Sequence, residues 1–251
     1  GNPFGGGLIA LGLLGIPITL IYIAGFTNVI NLIDGLDGLA GGVVAIIAAS
    51  IMVYAVIQAN LFTVILMAGL AGACLGFLRH NWAPATVFMG DAGSLTLGFI
   101  LASMSLHSSL KSPAAVAILV PLLALGVPVI DTLLVMIVRF AARRSEGPLG
   151  RVLAMFRADR RHLHHLLADA DGRRARAVKL IYGMVLLFCL AALSVAVTKR
   201  TDLGLMLMVV EIGVVLVVRQ LGLKHRLEGV RRRRGMMPAD QQDEETPVAA
   251  A

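Results

Sequence analysis

The sequence predicts an all-α polytopic membrane protein with about seven spanning helices. Two observations carry this: apolar runs long enough to cross a bilayer, and basic residues gathered on alternate loops. Of 251 residues, 58% are hydrophobic and 15% charged, with a mean hydropathy of +0.86. A soluble domain is nearer half apolar and carries more charge. Glycine occurs 27 times, in keeping with membrane helices whose backbones approach closely. The alternative, a soluble helical protein with a very apolar core, does not account for runs of spanning length.

Taken in order, the runs cover 8–24, 43–57, 62–78, 95–106, 114–138, 178–197 and 203–221. The first, fifth, sixth and seventh reach spanning length unaided. The second extends into the small residues 38–42, and the fourth into 90–94. These segments must be helical, because hydrocarbon offers no partner for an open backbone group. Cys74 and Cys189 lie inside apolar runs and read as small buried residues, not as a disulfide or a metal knuckle.

Orientation follows from arginine and lysine. With the amino terminus outside, 19 of the 22 basic residues face the cytoplasm, ten of them arginines of the 139–176 loop. Lys111, Lys199 and Arg200 fall outside. The net charge of +7 is thereby explained by topology and headgroups, without nucleic acid. The predicted division is a transmembrane catalytic domain over 1–222, with cytoplasmic loops 26–42, 79–94 and 139–177. A tail over 223–251 follows, basic at 231–234 and then polar and disordered. The chain begins at Gly1 without a signal pattern, so it reads as a fragment or a processed product.

Four polar motifs interrupt the apolar pattern, and this topology puts all of them at the cytoplasmic side. In the first, Asn28 and Asn31 share a helix face, followed by Asp34 and Asp37 beside glycines. Such oxygens at a helix end suit a hard cation or a donor-rich base or sugar. Capping explains one aspartate but not the whole set. The second is Phe88-Met89-Gly90-Asp91-Ala92-Gly93-Ser94, preceded by Asn81 and Trp82. It fits a carboxylate–magnesium–phosphate assembly at a helix start, or a simple N-cap. The third is Asp131 inside an apolar run, which must pair, coordinate or face a polar cleft. A loop arginine is its structural partner in the plainest reading. The fourth holds Arg160, Arg161, His162, His164 and His165. It suits a pyrophosphate better than zinc, since no cysteines accompany it; an ordinary basic loop is the alternative.

Together, in order and spacing over 8–197, these motifs resemble the bacterial polyprenyl-phosphate N-acetylhexosamine-1-phosphate transferases. The resemblance implies transfer of a sugar phosphate from a UDP-sugar to a lipid phosphate, with release of UMP. It puts the family's magnesium aspartate on Asp91, with Asn31 as a second ligand and manganese as the alternative ion. It puts uracil contacts on Asn81, Phe88 and the first-motif carboxylates. Asp34, Asp37, Asp91, His162, His164 and His165 are the implied catalytic set; Asn28, Asn31, Asn81, Phe88, Asp131, Arg160 and Arg161 the implied substrate-binding set. His-Leu-His-His at 162–165 is similar to the undecaprenyl- and decaprenyl-phosphate N-acetylglucosamine-1-phosphate transferases of O-antigen, teichoic acid and arabinogalactan assembly. The phospho-N-acetylmuramoyl-pentapeptide branch carries three consecutive histidines.

The implied partners are UDP-N-acetylglucosamine, a polyprenyl phosphate and the bilayer of the bacterial inner membrane; small residues in the helices permit a homodimer. The family's adjacent-aspartate loop has no match here, since no Asp-Asp pair occurs, and its first helices look absent. That leaves an inactive fragment as one alternative. A transporter is another, favoured by Asp131, Pro121 and Pro128 but not by motifs gathered at one face.

Overall fold

A computed structural model of the chain describes residues 12–109, 114–142, 147, 150, 162–171 and 174–236. The described residues form helices and connecting turns, with no strand among them. A 3-10 turn, Gly12–Leu14, leads into α1 (Gly15–Ile33). Then come α2 (Leu39–Ile57), α3 (Leu61–Asn81), α4 (Gly90–Ser109), α5 (Ala114–Ala124), α6 (Gly126–Ala142), α7 (Leu163–Asp171), α8 (Arg174–Thr198) and α9 (Thr201–Met236). Among the described residues, five segments are long and apolar enough to cross a membrane: Gly12–Ile33, Leu39–Ile57, Leu61–Asn81, Arg174–Thr198 and Thr201–Lys224. The fourth and fifth predicted spans are taken by α4 and by the pair α5–α6. The chain is a helical, multi-pass membrane protein.

The centre of the bundle is α2. Thirteen of its 19 residues are buried, as expected of a helix apolar on every face. It packs against α3, α8 and α4, while α1 packs along α4. The outer helices turn Leu13, Ile21 and Val209 outward, each more than two-thirds exposed, the surface a lipid solvent requires. α4 is less apolar because of its serines, two of which donate to the backbone one turn back. Ser105 Oγ donates to Ala102 O at 2.8 Å and Ser108 Oγ to Ser105 O at 3.0 Å.

Three differences from the sequence expectation have physical causes. The fifth run is not one helix, because Pro128 has no N–H to give Ala124 O and the ladder breaks at Leu125. The freed carbonyl receives Cys189 Sγ at 3.7 Å instead. The loop expected at 139–177 contains α7, nine residues long. Finally, α9 continues past 222 through the basic run 231–234 to Met236.

A close approach aligns α1 with α4. A Cβ on Gly98 would lie 2.8 Å from Thr27 Cα, a backbone atom that cannot swing aside. Gly98→Val is therefore expected to destabilise the protein by about 1–3 kcal/mol through overpacking, read as a lowered melting temperature in detergent.

Candidate active site

The polar motifs converge on one end of the bundle. There α1 and α3 finish and α2 and α4 begin. Asp34, Asp37, Asn81, Phe88 and Asp91 line one open cleft of about 280 Å³. Gly38 makes the turn between α1 and α2 with φ of +78°, a conformation that favours glycine. Its N–H donates to Asn81 Oδ1 at 2.9 Å, and its carbonyl accepts from the Tyr182 hydroxyl at 2.5 Å. Asn81 Nδ2 donates to Val87 O at 2.8 Å, and Ala85 N–H to Asp37 Oδ2 at 3.1 Å. Both floors of the cleft, 34–38 and 82–89, are thus tied to each other and to α8.

This assigns different work to residues of like type. Asn81 is buried with both ends of its amide engaged, so it shapes the cleft. Asp37 gives one oxygen to the same purpose. Asn31 reaches across from α1, its Oδ1 accepting from Ser94 Oγ at 2.5 Å, and as a metal ligand it would share that oxygen. Asn28 lies one turn earlier on α1 and is exposed. Phe88 is 75% exposed, an open aromatic face at the cleft wall. Asp91 is exposed in the first turn of α4, where a helix start favours negative charge. Asp34 is half-buried; that burial, and then the charge of Asp91, hold its carboxyl above the usual range. Two like charges facing one cleft is an arrangement a hard cation relieves. Among the described residues no three His, Cys, Asp or Glu side chains converge as a metal set. Magnesium ordinarily takes one or two carboxylates and completes its shell with phosphates and water, so this pair fits it.

The histidine segment meets the same loop from the other side. A Cβ on Gly35 would lie 2.5 Å from Nε2 of His164. His164 is buried, and its Nε2 has no hydrogen-bond partner. His162 and His165 flank it, with ring centroids 5.8 Å and 4.2 Å away. Burial, and then the neighbouring His165 and His162, lower its pKa to about 3.

Below about pH 6.5 the unfolded chain protonates this imidazole while the folded one does not. Stability is therefore present near neutrality and lost as pH falls towards 3. The loss attributable to this residue between pH 7 and pH 5 is about 2 kcal/mol. Denaturant unfolding at the two pH values checks this, with His164→Gln expected to flatten the dependence.

Asp131 is not in the acidic cleft. It is buried and joins three elements: Oδ1 accepts from Arg219 Nη1 at 3.0 Å and from Leu163 N–H at 2.9 Å, and Oδ2 lies 3.0 Å from His162 Nδ1. A carboxylate only accepts, so Nδ1 of His162 carries the proton. The expected arginine partner comes from α9 and not from a loop. Arg160 and Arg161 lie outside the described residues. Tyr182 and Arg219 are working residues that the motifs do not announce, and Ser94, within the second motif, acts through its hydroxyl on Asn31. For Arg219 a signal existed, since a cation within an apolar run implies a buried partner such as Asp131.

A family model described as Glycosyl transferase family 4 matches residues 1–109, which include the first two motifs. The chain belongs to glycosyl transferase family 4. Over 200 residues it is 34% identical to a probable undecaprenyl-phosphate N-acetylglucosaminyl 1-phosphate transferase of Bacillus subtilis, covering 80% of this chain and 52% of the relative. It is 35% identical over 224 residues to the decaprenyl-phosphate N-acetylglucosaminephosphotransferase of Mycolicibacterium smegmatis, covering 80% and 51%. A phospho-N-acetylmuramoyl-pentapeptide-transferase of Clostridium perfringens is 35% identical over 192 residues, covering 76% and 55%. This family 4 chain spans about half the length of the curated relatives it matches.

Proposed function

We propose that the chain carries the catalytic end of an inner-membrane enzyme that moves N-acetylglucosamine 1-phosphate from UDP-N-acetylglucosamine to a polyprenyl phosphate, releasing UMP at the cytoplasmic face. The observation that carries this reading is the 34–37 loop, which faces Asp91 across the cleft and His164 at Gly35. Acidic groups that suit a cation and imidazoles that suit phosphate oxygens then stand on the two sides of one loop. Magnesium, when bound, supplies charge that offsets the donor diphosphate. Asp91 and Asp34 would hold it. Phe88 offers a face on which a base stacks, while Asn81 and Asp37 keep the cleft walls in register. Asp131 holds the buried His162 in one tautomer and, through Leu163 N–H, fixes the start of the helix that carries His164 and His165. His164 and His165 then present ring nitrogens to phosphate oxygens, and the lipid tail stays in the bilayer.

A second reading, phospho-N-acetylmuramoyl-pentapeptide transfer, is favoured by the names of the clostridial relatives. The order of histidines at 162–165 favours the first. The test is to supply the intact protein with polyprenyl phosphate, magnesium and each radiolabelled donor in turn. The reading expects label from UDP-N-acetylglucosamine to enter the lipid phase with stoichiometric UMP. Label entering only from the muramoyl-pentapeptide donor would establish the second reading, and none from either would remove both.

A further inference from the structure

Glu211 lies in the middle of α9, 1% exposed, in a run where Arg219 is the only other ionisable side chain. It touches the break between α5 and α6. A Cβ on Gly126 would overlap its carboxylate, so glycine there is what admits the acid. One carboxylate oxygen accepts a hydrogen bond from Val127 N–H, a donor that the first turn of α6 leaves without an intrahelical partner. Its Oε1 has no partner. Eight residues further along α9, on the same face, Arg219 holds Asp131. Asp131 is five residues beyond Gly126 on α6. One helix therefore grips the other at two successive points. Because the ladder is broken at Leu125, α5 alone does not fix the rotation of α6. Asp131 in turn receives His162 and the first N–H of α7, so the setting of α6 decides where His164 stands.

We propose that Glu211 is a positioning residue, whose carboxylate on the first turn of α6 sets that helix so that Asp131 meets Arg219 and His162. The claim depends on the transfer reading only through its turnover arm. The experiment uses the intact protein in nanodiscs, measuring histidine carbethoxylation by mass spectrometry alongside UMP release. Glu211→Leu is expected to make the buried His162 reactive and to lower kcat about tenfold or more, at a donor KM within about twofold of wild type. Glu211→Gln, which keeps an acceptor for Val127 N–H, is expected to restore both.

His162 protected and kcat unchanged in Glu211→Leu would overturn the proposal. If that variant does not fold, Gly126→Ala perturbs the same contact from the other side, and wild-type labelling and turnover there overturn it equally. A chain without transferase activity whose His162 is nonetheless uncovered by Glu211→Leu would refute the transfer reading and leave this inference standing.

Discussion

Asp91→Ala is expected to lower turnover by at least about 10²–10³-fold, the scale on which a single preorganised charge contact acts in a site of this kind. Asp91 is exposed in the first turn of α4, makes one wall of the cleft and faces Asp34. Burial, and then the charge of Asp91, raise the pKa of the Asp34 carboxyl. Removing Asp91 leaves one half-buried carboxylate to hold a divalent ion and a donor diphosphate. The fold should be unaffected, because an exposed side chain outside the core contributes within about 0.5 kcal/mol. The discriminating result is thus lost UMP release at an unchanged melting temperature, with Asp91→Glu retaining part of the activity.

Asp131→Ala should act in the opposite way, mainly on stability. Three donors converge on this one buried carboxylate: Arg219, His162 and the Leu163 N–H. Deleting it strands a guanidinium that is itself buried and leaves the start of α7 without its acceptor. Breaking a buried ion pair from one side costs about 3–5 kcal/mol. In a chain of this size that corresponds to roughly 6–20 °C in melting temperature. Asp131→Leu combined with Arg219→Leu should recover much of the loss, because the uncompensated charge is then gone. Activity should stay low in the double variant, since His162 still lacks its partner. Thermal unfolding in detergent, run as a double-mutant cycle, measures both statements.

The spans were legible because apolar runs and the placement of arginines are one-dimensional signals. The extension of α2 back to Leu39 and of α4 back to Gly90 followed from small residues that prolong an apolar helix. The break at Leu125 was not read as two helices, although Pro121 and Pro128 stood in the run; proline position alone does not say whether a helix bends or stops. The residues of the acidic cleft were legible by type and spacing, whereas their division of labour was not. Nothing in a sequence separates Asp37, which accepts Ala85 N–H, from Asp91, which lines the cleft uncommitted to the loop. Asn81 likewise carries the same letter whether it contacts a base or bridges Gly38 to Val87. Those distinctions arise from pairings between residues 43 and 48 positions apart, and Tyr182 acts on Gly38 across 144.

The central claim is that Asp34, Asp91 and the 162–165 histidines address a single ion and diphosphate. Anomalous diffraction from crystals of the intact protein soaked with manganese and UDP-N-acetylglucosamine locates that ion directly. A peak at about 2.1–2.2 Å from Asp91 and Asp34 oxygens, with the donor phosphates between it and His164, is the predicted result. A peak elsewhere in the bundle, or a diphosphate bound away from both the carboxylates and the imidazoles, would contradict it.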